Sequence, residues 1–78
     1  MSSEQRQEAL RVLQEICTLA PEVRLGQLFA HLAFMGESLH GAGLGYIEDD
    51  ELLATLYRHR EELLNRSAVI QDASQKTP

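Results

Sequence analysis

The sequence holds one cysteine, one lysine, two prolines, four aromatic residues of the Phe/Tyr type and no tryptophan. Each scarcity excludes something. With Cys17 alone, no disulfide can brace the chain, and a four-ligand zinc site of the usual Cys/His kind is not to be expected from one Cys and three scattered His. With 12 acidic against 7 basic residues the formal charge is −5, so the surface as a whole repels phosphate backbones and argues against nucleic acid as a partner. No apolar run approaches the roughly 18–20 residues of a membrane span. The polar start, Met1-Ser2-Ser3-Glu4-Gln5, lacks a basic segment followed by an apolar one, so no secretory signal is expected and the chain reads as cytoplasmic and not membrane-bound.

What is present is helical patterning. At 78 residues the chain is one domain, of a size whose single core supplies only about 3–5 kcal/mol. A first helix is expected over 3–20. On a wheel Ala9, Leu10, Val12, Leu13, Ile16, Cys17, Leu19 and Ala20 occupy one half, and Arg11, Gln14, Glu15 and Thr18 the other. Ser2 or Ser3 is placed to cap it, and Pro21 ends it. Pro21 also suits the first turn of a second helix, expected over 21–35. Its core stripe reads Leu25, Leu28, Phe29, Leu32 and Met35, and a second apolar strip, Val23, Ala30 and Phe34, lies nearly opposite. A helix apolar over most of its circumference needs cover on several sides, which places it centrally or at a subunit interface. Gly36 is its expected C-cap, followed by a Gly-rich connection over 36–47. A third helix is expected over 48–65, with Leu52, Leu53, Leu56, Tyr57, Leu63 and Leu64 as its apolar face. The expected fold is therefore all-α, a small three-helix bundle with a Gly-rich loop between helices 2 and 3. It occupies 1–66, with a polar, partly disordered tail over 67–78.

Two segments carry a resemblance: Arg24-Leu25-Gly26-Gln27-Leu28 and Tyr46-Ile47-Glu48-Asp49-Asp50-Glu51-Leu52-Leu53. The chain resembles a group of short bacterial and phage proteins of uncharacterised function. These pair an Arg-x-Gly-Gln-Leu helix with a later Tyr-Ile-Glu-Asp-x-Glu-Leu-Leu helix start. The similarity covers about 21–64, and the Gly-rich insertion here is longer than the spacer common in that group. The resemblance implies a small helical fold and no particular activity.

The candidate functional features are few. The acidic run Glu48, Asp49, Asp50 and Glu51 complements the positive end of a helix, or else forms an acidic docking patch for a basic partner. It lacks the EF-hand spacing, and four successive carboxylates on a helix point in different directions. Gly41, Gly43 and Gly45 match neither dinucleotide-binding nor P-loop spacing, so they read as a flexible connection and no cofactor is expected. Arg24, Gln27 and His31 recur at i, i+3, i+7 and share a face, either a solvated edge or a recognition surface. Gly26, mid-helix, suggests close approach of another helix or chain. No nucleophile or carboxylate is placed beside His31 by sequence, and the chain reads as non-enzymatic. His40 falls in the loop and His59 at the edge of the third helix, without metal-ligand spacing to each other or to Cys17. Arg60 sits inside the apolar arc of the third helix. It must either snorkel to solvent or pair with a carboxylate, with Glu15, Glu22, Glu37 or an acid on another chain as candidates.

The functional expectation is an interaction or adaptor module that forms a homodimer or binds a protein partner. Its expected contact surface is Val23, Arg24, Gln27, Ala30, His31 and Phe34. The alternative is a DNA-linked regulator of helix-turn-helix or antitoxin type. Against that alternative stand the net charge, the acidic start of the third helix, and a loop longer than the 3–4 residue turn of that motif.

Overall fold

The structure, a computed structural model, describes residues 3–76, and side chains over residues 3–66. Ser2, the alternative cap of the first helix, lies outside the described residues. The chain forms three helices, α1 (Ser3–Leu19), α2 (Leu25–His40) and α3 (Asp49–Lys76), with no strand among the described residues. This is the all-α three-helix bundle expected. α3 runs past 65, where the sequence pattern ended it, and carries positions 69 and 70 in its helical backbone. The expected tail over 67–78 is thus described as helical backbone to Lys76, and residues 77–78 lie outside the described part.

The core is the meeting of three short apolar stripes. Val12 and Ile16 of α1, Leu28 and Leu32 of α2, and Leu56 of α3 are buried together. Spacings of four residues on α1 and α2 bring each pair onto one helical face. Leu13, Leu44, Leu52 and Leu63 pack around them, half-buried. Contacts between Glu8 and Tyr57 and between Glu15 and Arg60 show that α1 and α3 run in the same sense. Those of His40 with Glu51 and His31 with His59 show that α2 runs against α3.

Several expectations fail in informative ways. The central element is α3, which packs along both other helices, whereas α2 barely meets α1. With one main neighbour, α2 covers a single stripe, Leu28, Leu32, Met35 and Gly36. Leu25 and Phe29, expected in the core stripe, are exposed, as is Leu10 of α1. Pro21 does not start α2. The chain makes a turn closed by the Val23 N–H donating to the Ala20 carbonyl, and Arg24 is still extended at φ −70°, ψ 145°. Helix begins at Leu25, where the Gln27 amide oxygen accepts from the Arg24 N–H at 3.3 Å. Gly36 is not the C-cap. It is buried under Leu44 and Ile47, and the helix reads through it because no reversal of backbone hand is needed there. Gly41 supplies that reversal at φ 77°, its N–H donating to the Glu37 carbonyl. The loop therefore shrinks to 41–48, and His40 belongs to α2. No atom outside its own neighbourhood lies within 4 Å of a Cβ built on Gly26, so close approach within the chain is not its reason.

Candidate functional site

Where α2 crosses the middle of α3, three groups with lone pairs converge. His59 and Glu62 are one turn apart on α3, so both project toward the same side. His31 comes from α2. Its ring lies 4.6 Å from that of His59, centroid to centroid, tilted at 55°. The donor atoms of His31, His59 and Glu62 lie within 4.8 Å of one another. The His59 side chain is only 12% exposed, and its Nδ1 stands 3.6 Å from Glu62 Oε1, beyond hydrogen-bond reach. That nitrogen is buried and makes no hydrogen bond. Burial pushes the His59 pKa below 6.5, the positive charge His31 can carry pushes the same way, and the Glu62 carboxylate opposes both. The other Glu62 oxygen faces Arg58 Nε at 3.8 Å. His31 also belongs to the walls of two shallow hollows along this seam, one reaching Val23 and Gln27, the other Phe34 and Leu39.

The sequence-derived surface is only partly assembled here. Val23, Gln27 and His31 line one hollow, and His31 and Phe34 another. The Gln27 side chain is held at the helix start by the Arg24 backbone N–H. Ala30 is exposed, and Phe34 is 71% exposed. His59 and Glu62 were missed as companions of His31. Their link crosses two helices, and only the i, i+3 spacing of His59 and Glu62 was visible in the sequence.

Two of the four carboxylates of the acidic run, those of Asp50 and Glu51, are engaged by the backbone at the start of their own helix. The Glu51 carboxylate accepts from the Glu48 N–H at 2.9 Å, and Asp50 accepts from the Glu51 N–H at 2.9 Å. Glu51 also faces His40 Nδ1 at 3.7 Å. Arg60 pairs with Glu15, one of its three candidate carboxylates, at 2.9 Å, and lies 4.8 Å over the Tyr57 ring. The Tyr57 hydroxyl donates to Glu8.

No helix among the described residues is long and apolar enough to cross a membrane. Comparison of the chain with family models, curated proteins and solved structures matches none of them.

Proposed function

We propose that the chain is a non-enzymatic, self-associating interaction module in which two copies join through α2. The observation that carries this reading is the set of large apolar side chains α2 leaves exposed on more than one side: Leu25, Phe29 and Leu39 are 57%, 45% and 45% exposed, and Phe34, nearly opposite Leu25, is 71% exposed. Large apolar side chains concentrated on one helix of a small domain mark a contact surface. Charge favours a second copy as the occupant. The chain carries −5, yet Glu37 is the only Asp, Glu, Lys or Arg in α2. Two acidic chains can therefore meet along α2 without opposing their carboxylate-rich helices, and a two-fold arrangement pairs the same patch with itself.

Light scattering across a dilution series tests this on the wild type and on Phe34→Glu. The expected result is a wild-type dimer that the substitution dissociates into folded monomers. A wild type that remains monomeric at all concentrations overturns the reading.

A further inference from the structure

We propose that His31, His59 and Glu62 form a binding site for a divalent transition-metal ion, zinc foremost, held within one chain across the seam between α2 and α3. Two imidazoles and one carboxylate are a ligand set zinc accepts, with a fourth position left for water or an incoming donor. Softer or harder alternatives fit less well: there is no thiolate for copper(I), and too few oxygens for calcium or magnesium.

The geometry supports convergence on one ion. Two donors held about 2.0–2.1 Å from a tetrahedral ion stand roughly 3.3–3.4 Å apart. His59 Nδ1 and Glu62 Oε1 are at 3.6 Å, too far to hydrogen-bond and close to that spacing. All donor atoms of the trio lie within 4.8 Å of one another, and His31, which completes the set from α2, is exposed to an entering ion.

The second support is that His59 Nδ1 is buried and makes no hydrogen bond, with the Glu62 carboxylate facing it at 3.6 Å. A buried nitrogen without a partner costs stability, and native structures usually satisfy it. An ion on that nitrogen, shared with Glu62 and His31, satisfies it. His40 offers the instructive contrast. Its Nε2 is also buried and without a hydrogen bond, but the Glu51 carboxylate faces the other ring nitrogen. Two donors on opposite sides of a ring do not surround an ion. Arg58 competes for Glu62, but it holds Oε2 and leaves Oε1 on the His59 side. The site needs no second chain, so it stands or falls apart from self-association.

The test is calorimetric titration of zinc into chelator-treated full-length protein, with cobalt(II) as a visible-absorbance probe of coordination. The expected result is saturable binding of one ion per chain and cobalt bands typical of four or five ligands. His31→Ala and Glu62→Gln, both at exposed positions, are expected to weaken zinc by more than about tenfold while the circular dichroism spectrum stays native. His40→Ala is expected to bind as the wild type does. Absence of saturable binding overturns the proposal. So does binding that His31→Ala and Glu62→Gln both leave within about twofold, or that His40→Ala reduces as much as they do.

Discussion

Along the seam between α1 and α3 the polar groups find one another, while along the seam between α2 and α3 two of them do not. Tyr57 donates to Glu8 and Arg60 to Glu15, on either side of the fully buried Val12 and beside the fully buried Ile16. Across α3, the buried nitrogens of His40 and His59 have no hydrogen-bond partner, and Phe34 stands out from the surface. The same central helix thus has one side finished as structure and another with unused bonding capacity. In a domain with so little stability to spare, unsatisfied donors and uncovered aromatics are costly to keep. Both unsatisfied nitrogens lie along this seam, which is why ion binding is proposed there and not along α1.

The largest expected effect separates the two sides by stability. Ile16→Ala removes buried methylenes from the closed seam and costs about 2–5 kcal/mol. That rivals the about 3–5 kcal/mol available to a domain of this size. Urea titration followed by circular dichroism is expected to show little or no cooperative unfolding for this variant. Phe34→Ala, at an exposed site, is expected to shift the monomer's midpoint by less than about 1 kcal/mol. If Phe34→Ala costs as much as Ile16→Ala in dilute protein, the contrast breaks, and folding itself depends on covering α2.

A smaller effect of opposite sign is expected at the open seam. His59→Leu replaces an unpartnered imidazole nitrogen with apolar volume. In metal-free protein it is expected to stabilise by about 1 kcal/mol, since it removes a buried ring nitrogen, Nδ1, that makes no hydrogen bond. The same substitution removes one zinc donor, so adding zinc is expected to raise the wild-type unfolding midpoint and leave that of the variant in place. A His59→Leu protein that is clearly less stable than metal-free wild type means the ring makes packing or polar contacts that satisfy it.

How far the sequence exposes this asymmetry depends on whether a feature is local. Three helices, their order and the stripe Leu28, Leu32 and Met35 are legible because apolar spacing along one segment is enough. Which helix sits in the centre is not, since α2 is the most apolar helix and yet the less covered one. Leu25 and Phe29 carry the core period, but burial needs a neighbour on that side, and α1 lies against α3 instead. Helix ends were misjudged at Gly36 because a glycine's conformational freedom matters only where φ turns positive, and that happens at Gly41. Glu15 is among the candidate partners for Arg60 because a charge inside an apolar arc must either reach solvent or pair, and the sequence leaves that choice open. The trio of His31, His59 and Glu62 was hidden because His31 is brought to the other two only by the antiparallel pairing of two helices.

The finest expected difference lies in the closed seam and concerns Tyr57. Its hydrogen bond to Glu8 raises the phenol's pKa above the ordinary 10.0, with burial and the Glu8 charge adding to the rise and Arg11 opposing it. The native state therefore keeps the proton to higher pH than the unfolded chain does. The linked stability is fully present below pH 10 and is lost as pH rises through the native value. Phenolate absorbance in the near ultraviolet can follow this, because the chain has two tyrosines and Tyr57→Phe leaves Tyr46 alone. Subtracting the variant's titration from that of the wild type is expected to give a Tyr57 curve displaced upward. Glu8→Gln, which keeps an acceptor but removes the charge, is expected to bring the curve part of the way back. An unshifted Tyr57 would mean that Glu8 and Tyr57 do not hold one another in solution. The contrast between a satisfied and an unsatisfied seam would then rest on Arg60 and Glu15 alone.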